Sequence, residues 1–169
     1  MGTSNFSTLE FDDLSGGATF AELNRAADVS TRIVNATAAT LTATIATHEG
    51  KIVTLNRAGG IAVTLPAATG SGARLRFIVG TTFTSAGTIA VVGDDTMTGL
   101  ALIAQDGGDT SVVFETAADS DTITLNGTTT GGLKGADVEL IDIAADLWFV
   151  NVRSAATGTE ATPFSAAVS

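Results

Sequence analysis

The 169-residue chain contains no cysteine and no tyrosine, one histidine, one tryptophan and two prolines. Without cysteine, disulfides and thiolate metal sites are both impossible, and the absence points towards synthesis in a reducing cytosol. A single histidine, His48, cannot build a nitrogen-rich metal site, and no nearby residue nominates itself as nucleophile or orienting partner for a catalytic base. It lies in a turn-like His-Glu-Gly and is expected on the surface. Aromatic residues are only 5% of the chain, which argues against the aromatic-lined cleft of a carbohydrate-active enzyme even though paired carboxylates are plentiful. Bases are also scarce, with 8 against 18 acids and a net charge of −10. A phosphate-neutralising surface needs clustered Lys and Arg, so no nucleic-acid partner is expected, and anionic membranes are disfavoured for the same reason. No apolar run approaches the roughly 18 residues of a membrane-spanning helix. The first residues lack the basic and apolar regions of a secretory signal. The Gly-Gly pairs at 59–60, 107–108 and 131–132 are not followed by helical patterns, so no phosphate cradle and no cofactor are expected.

What is present is Ala, Thr, Val and 19 Gly, with only 15% charged residues. Thr and Val suit a pleated, half-buried surface and Gly marks turns, whereas Lys, Glu and Leu, the staples of long amphipathic helices, are few. The apolar fraction of 44% and the length suit one domain with appendages. The composition predicts an all-β fold.

Three segments are distinguished. Residues 1–35 read as an N-terminal arm, in which Phe6, Leu9, Phe11, Leu14 and Phe20 stand among polar and acidic residues without a sustained period. Thr19-Phe-Ala-Glu22 fits a capping box, so the arm holds at most one short helix. Its apolar side chains are candidate anchors on a partner. Residues 36–154 carry the β pattern, and residues 155–169 form a low-charge tail expected to be extended.

Within the β segment, Leu41–Ile45 is a first strand, and Lys51–Leu55 and Ile61–Leu65 flank Asn-Arg-Ala-Gly-Gly as a hairpin would. Pro66 ends the second of these because it cannot donate to a ladder. Arg74–Val79 alternates cleanly, with Leu75, Phe77 and Val79 inward and Arg74 and Arg76 outward. Short strands at 89–92, 99–103 and 111–114 follow. The chain closes on a meander containing Ile123 and Leu125, then Val138 to Ile143, then the strand with Trp148, Val150 and Val152 as its inward row. Val138 and Leu140 share one parity and Ile141 and Ile143 the other, which predicts a β-bulge or a bend between sheets at that point. Phe149 points away from the Trp148 row and is expected on a second buried face, against a neighbouring subunit or a covering arm. Short strands at even spacing with no helices between them predict a compact antiparallel sandwich or barrel-like domain, of jelly-roll or tulip-like form.

Asp94, Asp95, Asp106, Asp109, Asp119 and Asp121 cluster in turns, where Asp caps local amides. None of these clusters matches a calcium-loop spacing, so turn chemistry is favoured over a divalent ion. Arg74 and Arg76 read as a solvated strand face, or as partners for carboxylates of a neighbouring subunit.

Three phrases carry a resemblance: Ile61-Ala-Val-Thr-Leu-Pro-Ala-Ala-Thr-Gly-Ser-Gly-Ala-Arg-Leu-Arg-Phe77, Ser120-Asp-Thr-Ile-Thr-Leu-Asn-Gly-Thr-Thr-Thr-Gly-Gly132, and the Trp148 strand followed by Thr157-Gly-Thr-Glu-Ala-Thr-Pro-Phe164. Over residues 50–165 the chain resembles small structural proteins of tailed bacteriophages, and among them the capsid decoration, or cement, proteins. The resemblance implies a homotrimer on the outer capsid surface of the virion, made in the host bacterial cytoplasm. Its partner would be the major capsid protein, bound at three-fold or quasi-three-fold positions to stabilise the expanded head. It implies no catalytic residues. On that reading Phe6, Leu9, Phe11, Leu14 and Phe20 would bind the capsid, and Arg74, Arg76, Phe149 and Phe164 would lie at subunit interfaces. The alternative within the same group, a head-fibre or tail appendage that binds host glycans, predicts exposed loop aromatics or a fibrous repeat. Neither stands out in the sequence.

Overall fold

A computed structural model describes residues 32–105 and 110–168. The arm residues Phe6, Leu9, Phe11, Leu14 and Phe20, together with the capping box at 19–22, lie outside the described residues. The same holds for Asp106 and Asp109.

The described chain forms twelve strands and one short helix. In order they are β1 (Ile33–Ala36), β2 (Thr40–Thr42), α1 (Ile45–His48), β3 (Ile52–Leu55), β4 (Ala62–Thr64), β5 (Arg74–Val79) and β6 (Gly87–Ala90). Then come β7 (Thr96–Gln105), β8 (Ser111–Glu115), β9 (Thr122–Leu125), β10 (Asp137–Ala144), β11 (Leu147–Ala156) and β12 (Phe164–Ser165). They build two mixed sheets: seven strands in the order β1-β3-β5-β10-β11-β7-β8, and five in the order β12-β9-β6-β4-β2. The expected all-β sandwich is the fold.

The expected antiparallel pairing is corrected. From β1 to β6 the chain alternates between the sheets, and each new strand lies parallel beside the one before last in its own sheet. Ile33 pairs with Ile52 and Ile52 with Arg76 in one sheet, while Leu41 pairs with Val63 and Val63 with Ile89 in the other. Lys51–Leu55 and Ile61–Leu65 are therefore not a hairpin, because β3 and β4 belong to different sheets. Parallel neighbours need a crossover of a dozen or more residues, usually a helix. Here the return path is a strand of the facing sheet, so no helix is required. From β7 onward antiparallel pairs dominate, with β7–β8 and β10–β11 as hairpins, although β11 lies parallel to β7. The expected closing meander is split as well: β9 lies in the five-stranded sheet and pairs with β6 and β12.

The alternation read from sequence places the core correctly. Leu75, Phe77 and Val79 of β5, Val138 and Leu140 of β10, and Trp148, Val150 and Val152 of β11 are all buried. They face Val63, Ile89, Ile123 and Leu125 across the sandwich within one apolar cluster. Gly99 shows how tightly this is built. Its φ is 152°, and a Cβ there would run into the Val150 carbonyl of the neighbouring parallel strand.

Three further expectations change. The parity slip after Leu140 is not a bulge at that point: the inward row continues to Asp142, and the register irregularity falls between Asp142 and Ala144. His48 is buried at the end of α1, its Nδ1 accepting from the Thr44 amide at 3.0 Å. The segment boundaries also fall inside elements, since β1 begins at Ile33 and β11 runs to a buried Ala156. The tail beyond it returns to the sandwich as β12.

Removing the ring at Phe77, which is fully buried, should cost about 3–5 kcal/mol as Phe77→Ala. Arg74→Ala, on the outward parity of the same strand, should stay within about 0.5 kcal/mol. Urea unfolding of the two variants checks this; equal losses would contradict the assigned faces.

Candidate functional site

The buried polar residues are the first place to look for chemistry. Asp142 is 1% exposed and sits in the inward row of β10. Its carboxylate accepts the amides of Thr69 (3.0 Å), Gly70 (2.7 Å) and Ser71 (3.0 Å), and the hydroxyls of Thr69 (3.1 Å) and Ser71 (2.6 Å). Asp95, also buried, takes the preceding amide of Ala68 at 2.7 Å. Successive amides of the β4–β5 loop thus form a concave nest, the kind of backbone that binds anions, and the chain fills it with its own carboxylates. Burial alone would raise the Asp142 pKa. The Ser71 hydroxyl and the amides of Ser71, Thr69 and Gly70 outweigh it and hold the group far below the ordinary carboxylate range. All of its acceptor capacity goes to the fold.

Asp121 does similar work at the other end of the chain, accepting the amides of Ala167 at 2.7 Å and Val168 at 2.9 Å. Asn126 organises the β9–β10 loop: its Oδ1 accepts the amides of Thr128 and Thr130 at 2.8 and 3.1 Å. The 157–161 segment rests on that loop through Thr157 N–H to Thr128 O and Ala161 N–H to Thr129 O. Among the described residues no group of three or more His, Asp or Glu side chains is placed to hold a metal ion. No helix there is long and apolar enough to cross a membrane.

The outer face of the seven-stranded sheet is the other candidate. Arg76 lies on it and pairs with Asp137 at 2.9 Å, and Arg153 reaches the same carboxylate at 2.8 Å. Burial would raise the Asp137 pKa, and the two arginines pull it below its ordinary value; the same contact raises that of Arg76. Arg76 thus has a carboxylate partner within its own chain and does not depend on a neighbouring subunit for one. Arg74 is exposed one step away, paired in register with Ile141. Phe149 is on this face as well, 36% exposed in the single chain. Phe164 is placed elsewhere: on β12 its ring is only 7% exposed and belongs to the core cluster of its own chain. The four residues expected at subunit interfaces are therefore split, with Arg74, Arg76 and Phe149 on one face and Phe164 inside.

Around Phe149 the register gathers further apolar side chains. Phe149 lies between Ile141 and Thr98, Leu100 between Asn151 and Glu115, and Leu102 between Arg153 and Val113. Leu100, Leu102 and Val113 are 47%, 42% and 55% exposed. Sequence reading missed this stripe because it assigned Leu100 and Leu102 to a strand without assigning its faces. Asp142 was also missed, although a charged residue continuing the Val138, Leu140 row was a visible signal. An acid at a core position demands donors, and Thr69-Gly-Ser71 supplies them.

Comparison with family models, curated proteins and solved structures finds no match to this chain.

Asp142→Asn keeps the shape but places an amide among donors, and should cost about 2–3 kcal/mol at neutral pH. Because the folded pKa lies below the unfolded one, the contribution is fully present above about pH 4 and is lost as pH falls towards the folded value. Denaturant midpoints of wild type and variant should thus be separated by a constant gap from pH 7 to about 5 that narrows below about pH 4. A gap that does not change with acidity would rule out the carboxylate as its source.

Proposed function

We propose that this chain is a capsid decoration protein of a tailed bacteriophage, a structural binding module and not a catalyst. It would sit on the outer surface of the expanded head at three-fold or quasi-three-fold positions, as a homotrimer bound to the major capsid protein. The observation that carries this reading is the fate of the buried carboxylates. Asp95, Asp121 and Asp142 spend their hydrogen bonds on backbone amides of their own fold, while the exposed features are an apolar stripe and an arginine–carboxylate cluster. Such a molecule is equipped to be rigid and to adhere. The resemblance of residues 61–77, 120–132 and 148–164 to decoration proteins supplies the partner. Those phrases fall on β4 to β5, on β9 with its Asn126 loop, and on β11 with the return to β12.

The arm would do the gripping. Phe6, Leu9, Phe11, Leu14 and Phe20 would enter grooves between capsid subunits, gaining about 25 cal/mol per Å² of apolar surface buried, less the cost of ordering the segment. Many such contacts across one shell would act together and exceed any single one.

Purified protein added to expanded heads of the encoding phage should give extra density at three-fold positions by electron microscopy. Bare heads at saturating protein would reject the proposal, and density on tail or fibre would favour an appendage. Removing residues 1–30 should leave the far-ultraviolet circular dichroism of the β domain unchanged and abolish co-sedimentation with heads. Undiminished co-sedimentation would remove the arm from the mechanism.

A further inference from the structure

We infer that the last strand of the sandwich is exchanged between copies: residues 161–168 of one chain lie along β9 of its neighbour, and the copies meet at their Asn126 loops. The first observation is the seat. Among the described residues, the backbone hydrogen bonds that tie this tail to the body of the domain all end on residues 121–129. Ala161 N–H donates to Thr129 O at 2.9 Å, Thr124 N–H to Pro163 O at 2.7 Å and Asp121 N–H to Ser165 O at 3.0 Å. The Asp121 carboxylate then accepts the amides of Ala167 and Val168. Between these clamps Phe164, opposite Ile123 and 7% exposed, completes the inner row of Leu41, Val63 and Ile89. Main-chain hydrogen bonds along an edge, with a side chain in a pocket, are how an added strand is recognised. A tail held in this way finds the same seat on a second copy, so exchange keeps its contacts.

The second observation is the linker, and it selects exchange over closure within one chain. Thr157-Gly-Thr-Glu160 carries the chain from β11 to the seat, with Thr157 N–H held by Thr128 O at 3.0 Å. On this path Oε1 of Glu160 is buried without a hydrogen-bond partner among the described residues. An acceptor withdrawn from water and given no donor destabilises the arrangement that buries it. A short hinge under strain favours the swapped form, and swinging 161–168 outward returns that oxygen to solvent. Glu160 is also the single charged side chain in residues 155–169, so the tail of one acidic chain crosses to another with little repulsion. The hinge sets the geometry. Thr157 to Ala161 spans at most about 14 Å when extended, so the Thr128–Thr129 turns of neighbouring copies lie within that reach. Passed from each copy to the next, the tail closes a ring of three without any two-fold pair.

The exchange gives a mechanism to the self-association contained in the decoration reading, and rests on that reading only for the number of copies. Because the chain has no cysteine, disulfides report it directly. Thr122 and Ser165 face each other across β9 and β12. Antiparallel neighbours lie about 4.5–5.5 Å apart at Cα, a separation a disulfide spans. Chains carrying Thr122→Cys alone and Ser165→Cys alone, coexpressed and oxidised, should give covalent heterodimers at least about tenfold above the dimers of either variant by itself. The same two substitutions in one chain should give covalent multimers on a non-reducing gel. Links confined to single chains, or no heterodimer from the coexpressed pair, overturn the inference. A second measurement leaves the seat untouched. Light scattering on the full chain should give a multiple of 16.9 kDa, and inserting about eight Gly/Ser residues after Gly158 should bring it to the mass of one chain. A wild type at single-chain mass at high concentration, or an assembly indifferent to the longer hinge, overturns the inference as well. Heads decorated by protein whose tails stay in their own chains would keep the decorating role and remove the exchange. Exchanged tails on protein that leaves heads bare would do the reverse.

Discussion

Parallel strands cannot be joined by a tight turn, and that constraint shapes the first half of this molecule. Every parallel step must travel back along the strand direction before the next strand can begin. The usual carrier is a helix, and this composition, rich in Thr, Val and Gly, has little material for one. The chain makes the return with a strand of the opposite sheet, so β1 to β6 build both sheets at once. The parallel parts of the two sheets are thus built by the same passes, and the core lies between the outward and return paths. Val53, Phe77, Val63 and Ile89 come from successive passes and meet in one cluster.

Passing from sheet to sheet leaves loops at the ends of the sandwich whose amides have no ladder to join. Buried carboxylates meet that need. Asp95 and Asp142 collect four consecutive amides between Ala68 and Ser71, and Asp121 collects two near the C-terminus. A neutral hydrogen bond contributes about 0.5–1.5 kcal/mol and one to a charged group about 1.5–3, so these acids are strong fasteners despite the cost of burying them. They also account for part of the acidity. Some of the carboxylates in a chain of net charge −10 work inside the fold and not at the surface.

The outer face of the larger sheet contrasts with this economy. Its formal charges cancel, and Phe149, Leu100, Leu102 and Val113 form an exposed apolar stripe across it.

Much of the architecture was legible in the residues. Alternation identified the inward rows around Phe77 and Trp148, Gly and Asp marked the breaks, and the paucity of helix formers set the class. Alternation is blind, however, to strand direction and partner. A row such as Ile61, Val63, Leu65 reads the same in a hairpin or in a parallel return, so the sheet order was out of reach. It also could not show that Phe164, far from β9 in sequence, closes the core, or that Arg76 and Arg153 share Asp137. His48 was misplaced because a turn-like neighbourhood says nothing about what packs over it. The sequence by itself determined which side chains share a face, because the strand period is local and written in each short run. Only the tertiary structure decided which faces meet and which carboxylates find amides. It also decided which apolar stripe is left exposed on the described chain, because those outcomes depend on contacts between residues as far apart in sequence as Ala68 and Asp146.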